Sequence, residues 1–397
     1  MENQENSKLE SNYKLRFLDD DGNSYPDWEE IKLSEVIIKN KLKNKKNDYF
    51  PVETISNKFG FIKQSDYFNK DIASINKNNY YIVKQGIIAY NPSRINVGSI
   101  ALKKTNYNSL ISPLYINFYC DTIKLNPFFL INYFKTKVFY SNRLKFTNKG
   151  VRENFIYEEL KKLNFLLPSL PEQQKIGSFL SKIDDYIKLQ KEEIILTKEY
   201  KKSLLEQIFN QQIKVLDENG NNYSKWKEQK IKDIFEVARG PMLIKNQMKK
   251  EKSEDYIFPV YSSQTSNNGV IGYYNQYLFE NAITWTTDGY YAGDFNYRNE
   301  KFYVTTHCGI LINNKGYCNE FIGEFLNKKA KSYVIKLAQP MLQKNIVMEI
   351  SLSFPSYLES QKLGNLFSSI NQQISQLELE YKNLNEYKNV LLNKLIF

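Results

Sequence analysis

The chain has 397 residues, enough for two or three domains with buried cores, and no stretch approaches the roughly eighteen consecutive apolar residues of a membrane span. Three cysteines (Cys120, Cys308, Cys318) are too few for a disulfide framework, and the polar start lacks the basic and then apolar pattern of a secretory signal, so a cytoplasmic protein is expected. The net charge of +11 is uneven: residues 29–167 hold 23 Lys and Arg against 11 Asp and Glu, residues 227–351 hold 16 against 13, and residues 1–28 hold 3 against 7.

In chain order, residues 1–28 read as a polar arm. It ends in Leu18-Asp19-x-x-Gly22-Asn23-x-Tyr25-x-x-Trp28, a turn signal followed by an aromatic that would pack on the next domain. Residues 29–167 form the first globular block, and its positive balance is where a polyanion would be attracted. Short β-like runs at 80–83 and 86–90 and a helical stretch near 128–139 make it α+β. If that polyanion were a nucleic acid, planar hydrogen-bonding groups would be needed for base edges and cations for phosphates. Asn91, Ser93 and Arg94 lie in loop-like sequence that suits the first task, and Lys103, Lys104, Lys145 and Lys149 are candidates for the second. The alternative for each is an ordinary surface ion pair, a turn cap or a solvated lysine.

Next comes Leu167-Pro168-x-Leu170-Pro171-x-Gln173-Gln174-Lys175-Ile176, running into a proline-free segment to residue 209. Proline at a helix start loses nothing, because its missing N–H would be unpaired there. Counting by four and three gives Ile176, Leu180, Ile183, Ile187, Gln190, Ile194, Thr197, Lys201, Leu204 and Ile208, seven of ten apolar. Such a seam predicts a coiled coil about 57 Å long, more than one small domain could cover; the alternative is an amphipathic helix lying on its own domain.

Residues 210–226 then repeat the arm as Leu216-Asp217-x-x-Gly220-Asn221-x-Tyr223-x-x-Trp226, 198 positions on. A second α+β block at 227–354 follows, with strand-like runs at 303–306 and 309–312 and a helix near 320–337. Its candidates for the same tasks are Arg239, Thr287, Asp288, Tyr290 and Arg298. Residues 355–397 form the second helix, with the seam Leu363, Phe367, Ile370, Ile374, Leu377, Tyr381, Leu384, Lys388, Leu391 and Leu395. Segment 165–209 aligns without a gap on 352–396 with 15 identities in 45 positions. The chain is therefore two tandem copies of arm, block and helix. The blocks differ far more than the helices, which places two different targets in the blocks.

No catalytic group of its own emerges. Asn126-Pro127-Phe128-Phe129 looks like an amino-methyltransferase tetrapeptide but has no Gly-x-Gly cofactor loop before it, and reads as a turn entering a helix. Pro26-Asp27 with Glu30-Ile31-Lys32 loses its acid in the repeat (Ser224-Lys225). His307, Cys308 and Cys318 lack the four ligands of a structural zinc site. No phosphate-binding Gly-x-x-x-x-Gly-Lys-Ser/Thr loop exists.

With this architecture, the Pro-x-Leu-Pro-x-Gln-Gln-Lys helix start, its weaker copy at Phe354-Pro355 with Glu359, Gln361 and Lys362, and the Trp28 and Trp226 arms, the chain resembles the specificity subunits of type I restriction-modification systems. Gly86-Ile87-Ile88-Ala89-Tyr90-Asn91-Pro92-Ser93-Arg94 and Trp285-Thr286-Thr287-Asp288-Gly289 also fit. The second helix copy departs in having Leu358 for Pro171 and Ser360 for Gln173. The resemblance implies an α+β fold with two target-recognition domains separated by two long antiparallel coiled-coil helices in a pseudo-twofold repeat. It implies a non-catalytic chain that reads a bipartite site on double-stranded DNA. Implied partners are two modification subunits, which bind S-adenosylmethionine, and two restriction subunits, which use ATP and Mg; no cofactor, metal or membrane is expected for this chain. A self-sufficient enzyme, a coiled-coil assembly protein that does not bind DNA, and a silent or phase-variable specificity allele are the alternatives.

Overall fold

The structure, a computed structural model, describes residues 14–68, 77–146, 154–263, 266–336 and 338–397. The chain divides into two compact units, Met1–Lys191 with Glu380–Phe397, and Glu192–Leu379. Neither long helix is a body of its own, since each contributes one part to each unit. Among the described residues no helix is long and apolar enough to cross a membrane.

In the first unit, β1 (Glu29–Lys32) pairs antiparallel with β10 (Asn164–Leu167), closing the block where the helix begins. Strands β2 (Ile37–Lys39), β6 (Ile88–Tyr90), β7 (Ile100–Leu102) and β9 (Ile116–Cys120) form a sheet of order β2-β9-β6-β7. A second sheet, β4-β3-β8-β5, holds β3 (Val52–Ser56), β4 (Gly60–Lys63), β5 (Tyr81–Val83) and β8 (Ser109–Ile111), with β3 and β8 parallel. Its helices are α1 (Gln64–Phe68), α2 (Pro127–Tyr133), α3 (Lys137–Leu144), α4 (Tyr157–Leu160) and the start of α5 (Leu170–Phe209). Residues 128–139, expected as one helix, are two. Thr136 stops the first and its hydroxyl accepts from Phe139 N at 3.1 Å to cap the second. Asn126-Pro127 is a helix start, with Asn126 Oδ1 accepting from Phe128 and Phe129 N–H.

In the second unit, β11 (Lys227–Lys230) pairs with β18 (Ser351–Phe354) as β1 does with β10. The main sheet runs β12-β17-β15-β16-β13-β14, built from β12 (Glu236–Arg239), β13 (Phe258–Tyr261), β14 (Val270–Tyr274), β15 (Phe279–Thr286), β16 (Phe295–Val304) and β17 (Cys308–Ile312). Its helices are the end of α5, α6 (Ile231–Ile234), α7 (Glu320–Ala330), α8 (Lys344–Glu349) and the greater part of α9 (Tyr357–Leu395). The order β12-β17-β15-β16 repeats β2-β9-β6-β7, so the blocks share a four-stranded sheet that their sequences conceal.

The seam holds throughout: each of Ile176, Leu180, Ile183, Ile187, Ile194, Leu204 and Ile208 is buried or half-buried, as are Leu363, Phe367, Ile370, Ile374, Leu377, Leu384, Leu391 and Leu395. In the first unit Ile176, Leu180 and Ile183 share a core with Leu391, Leu392 and Leu395. In the second, Leu204, Leu205 and Ile208 share one with Leu363, Phe367 and Ile370. Start packs on end in both, so the pair is antiparallel. The same cores hold Phe129, Phe134 and Phe139 in one unit and Phe321, Phe325 and Phe354 in the other, so the helix ends belong to the domain cores. Each such side chain stabilises by about 1.5–3 kcal/mol. Polar seam residues find partners: Gln190 Nε2 donates to Glu380 Oε2 at 3.2 Å, Lys388 pairs with Asp184, and Lys201 with Glu324.

The departures of the second helix are accommodated. Where Gln173 bonds to Asn126 N, Lys124 O and Pro168 O, the shorter Ser360 Oγ accepts from Asn319 Nδ2 at 2.9 Å, and Asn319 caps α7 as Asn126 caps α2. Without a proline, Ser356 Oγ caps the helix by accepting from Glu359 N at 3.3 Å. Gly177 and Gly364 recur because each capping asparagine lies against them; a Cβ on Gly364 would stand 2.7 Å from Asn319 Cγ.

Candidate nucleic-acid interface

The shared sheet makes the two loops of interest equivalent. In the first unit Tyr90, the last residue of β6, faces Ile116 at the start of β9; in the second, Thr286, the last of β15, faces Cys308 at the start of β17. The chain leaves the sheet there as Asn91-Pro92-Ser93-Arg94 and as Thr287-Asp288-Gly289-Tyr290. A returning segment ties down both loops: Phe155 N donates to Pro92 O at 3.1 Å, and Leu342 N to Thr287 O at 2.8 Å. Residue groups picked independently from sequence thus occupy one corner of one scaffold.

In the second unit this corner is a cleft of about 500 Å³ lined by Arg239, Thr287, Asp288, Gln339, Gln343, Lys344 and Asn345. Arg239 is exposed at the end of β12, its Nε held by Thr306 O at 2.7 Å. Asp288 faces His307 Nδ1 at 2.9 Å. Tyr290 is 88% exposed and edge-on to Tyr291. Thr287 is buried; its backbone fixes the loop, and its hydroxyl meets Asp288 Oδ1 at 3.2 Å. Beneath lies Trp285, whose Nε1 donates to Leu342 O at 2.9 Å, and Gly309 leaves room for its ring, since a Cβ there would overlap the indole at 2.0 Å. His307 was weighed from sequence only as a zinc ligand, and Gln339, Gln343, Lys344 and Asn345 were not singled out. The polar run Gln339-Pro340-Met341-Leu342-Gln343-Lys344-Asn345 is its only trace there, and antiparallel bridges from Met341 to Asp288 and Ile335 bring it to the loop.

In the first unit Asn91 Oδ1 accepts from Ser93 N at 3.1 Å, closing the turn, while Ser93 meets Asn154 Oδ1 at 2.5 Å and Arg94 is exposed. Where Arg239 stands, this unit has Asn40, buried and bonded to Asn117 Oδ1 at 2.6 Å and Ile82 O at 3.0 Å. The two corners therefore offer different chemistry. Lys104 is at the other end of the β6–β7 hairpin, in a cleft of about 350 Å³ with Lys58, Lys135 and Lys188 facing Asp184 and Asp185. Lys145 is exposed at the end of α3, its Nζ on Asn142 Oδ1 at 2.9 Å. Lys149 lies outside the described residues.

Two expectations need correction. Lys103 is 0% exposed, paired with Glu53 Oε2 at 2.5 Å beside Tyr107 and Ser109, and cannot reach a phosphate; burial lowers its pKa against the opposing pull of Glu53. Arg298 is 6% exposed, with its guanidinium 3.8 Å from the Tyr261 ring centroid and Nε on Thr284 Oγ1 at 3.4 Å, so it braces the sheet. Arg298 lies on β16 and Lys103 directly follows β7, and the sequence period did not reveal the inward face of either. Cys308 and Cys318 are buried thiols, each pushed up to about 12 by burial, and His307 turns to Asp288 instead. Among the described residues no group of three His, Cys, Asp or Glu gathers as metal ligands do.

The model of the type I restriction modification DNA specificity domain matches twice, at residues 25–198 and 223–386. Two Mycoplasma pneumoniae (strain ATCC 29342 / M129) proteins named as type I specificity subunits are 38% identical over 171 residues and 30% identical over 260 residues. The first match spans 41% of this chain and 46% of the relative, and the second 62% and 92%. The chain thus covers less than half of the first relative's length. The crystal structure of the S subunit of a type I restriction-modification system from M. genitalium has a similar fold, with a TM-score of 0.64 over 97% of this chain and 99% of that one, at 17% identity.

Proposed function

The chain belongs to the type I restriction-modification DNA specificity family and carries two copies of its domain, and on that premise we propose that each copy reads one half of a bipartite DNA site through the loop that leaves its central strand. The observation that carries this reading is the equivalence of the two corners, one scaffold presenting Arg94 with Ser93 in one copy and Arg239, Asp288, Gln343 and Asn345 in the other. Arginine pairs bidentately with guanine, asparagine and glutamine with adenine, and aspartate accepts from cytosine, so different sets on one frame select different bases. Lys58, Lys104 and Lys344 are suited to phosphates. The paired helices would serve as spacer and scaffold for two modification subunits, with S-adenosylmethionine, ATP and Mg held by partner subunits in the cytoplasm and no catalysis by this chain. Exchanging residues 29–167 for the first block of another specificity subunit tests this: methylome sequencing should show one half-site replaced and the other kept. Replacement of both would refute independent reading.

A further inference from the structure

We infer that the second arm closes over a socket for a guanidinium group, and that an arginine side chain of a partner protein fills it. The argument rests on the internal repeat and not on the DNA-reading assignment. In the first unit the arm is anchored by Glu172, fully buried, which accepts from Arg16 Nε at 3.0 Å, Arg16 Nη2 at 2.8 Å and Trp28 Nε1 at 3.0 Å. Phe397 covers the indole, stacked at 4.4 Å with an 8° tilt.

The second unit rebuilds this frame. Lys362 Nζ donates to Leu216 O as Lys175 Nζ does to Leu18 O. Trp226 meets Phe321 edge-on at 6.1 Å, as Trp28 meets Phe129 at 6.1 Å. Glu359, the counterpart of Glu172, is 5% exposed. Two groups are missing, however: Lys214 stands for Arg16, and Asn210 for Phe397. Glu359 Oε2 is buried without a hydrogen bond of normal geometry, and Trp226 Nε1 faces the same carboxylate without the 3.0 Å bond that Trp28 makes to Glu172, beside a cavity of about 690 Å³ that Phe209, Phe325 and Trp226 line.

A buried carboxylate oxygen without a donor is costly, and burial raises the Glu359 pKa while hydrogen bonding from Trp226 and from the Ser356 backbone and, through space, Lys214 only partly offset it. A guanidinium fits this site as Arg16 fits Glu172, offering N–H donors to the open Glu359 oxygen and a flat face to the indole, while the indole N–H, itself a donor, turns to the same carboxylate. An ammonium can donate to a carboxylate, as Lys103 does to Glu53, but it has no planar fork or flat face to match carboxylate and indole together, and the exposed Lys214 leaves the oxygen unbonded. The exposed Lys214 and Lys329 at the mouth repel a cation weakly, because salt screens exposed charges far more than a buried one.

The test is ¹⁹F NMR on the full chain carrying 5-fluorotryptophan, with resonances assigned by substituting each tryptophan with Phe, titrated with L-argininamide. A saturable shift of the Trp226 signal is expected, with Trp28 and Trp285 unmoved and L-lysinamide at least tenfold weaker. Glu359→Gln should abolish it with the other two signals in place. Lys214→Arg, which supplies the guanidinium from the arm itself, should move the Trp226 signal without ligand and block the titration. No saturable shift, an equal response to lysinamide, or a stronger one to adenosine monophosphate would overturn the inference.

Discussion

Lys103 and Lys104 are neighbours with opposite fates. Lys103 points into the sheet at Glu53, so Lys103→Met leaves a carboxylate buried without its cation and should lower stability by about 3–5 kcal/mol in urea unfolding. Lys104→Ala, at an exposed site, should change stability by no more than about 0.5 kcal/mol. As a phosphate contact, it should reduce the slope of log affinity against log salt by about one. Unchanged salt dependence would remove Lys104 from the interface. Arg239 and Arg94 make the complementary case for base reading. Arg239→Ala should cost about 1–3 kcal/mol and relax one position in one half-site, and Arg94→Ala should act on the other half alone. Methylome sequencing of the two variants separates these outcomes; loss of specificity in both halves from either variant would contradict the assignment. Sequence placed Arg239 and Arg298 alike in loop-like stretches as candidate DNA contacts, whereas both end up on strands, Arg239 exposed and Arg298 buried, because only strand pairing shows which way each points.

At the scale of elements, the long helices were legible almost to the residue, since a heptad seam is a local pattern: the expected 172–209 is Leu170–Phe209, and the second helix is Tyr357–Leu395. Their polar seam partners were not legible. Asp184 on α5 meets Lys388 on α9 and lies 3.6 Å from Lys135. Burial pushes the Asp184 pKa up, but the pull of Lys135, Lys388 and Lys104 outweighs it and the net shift is down. A carboxyl with a depressed folded-state pKa adds stability above its unfolded value of about 3.9 and loses it as the pH falls through the folded one. Asp184→Asn should therefore cost about 1 kcal/mol at pH 7, a deficit that shrinks as the pH is taken below about 4. Urea midpoints across that range decide it, and a deficit independent of pH would assign the effect to packing.

For the whole molecule, the 40 residues of α5 give about 60 Å of continuous helix at 1.5 Å per residue. If the helices set the distance between half-sites, a heptad inserted after Gln190 and another after Leu377 keeps every seam position on its face and adds about 10 Å. The methylated motif should keep both half-sites and gain roughly three base pairs of non-specific spacer at 3.4 Å each. Activity on the original spacer would show that the helices are not the ruler.

The duplication, the arms with their tryptophans, the helix starts and the seam were all determined by the sequence alone, because turn signals, caps and heptads are set by neighbours a few residues apart. Only the tertiary structure decided that the blocks share one sheet, that Gln343 and Asn345 join Arg239 and Asp288, and that Glu359 keeps an unbonded oxygen where Glu172 does not. These depend on strand order and on contacts between residues distant in sequence, where Lys103 or Arg298 can turn inward once a partner waits, Glu53 on the other sheet or Tyr261 on the neighbouring strand.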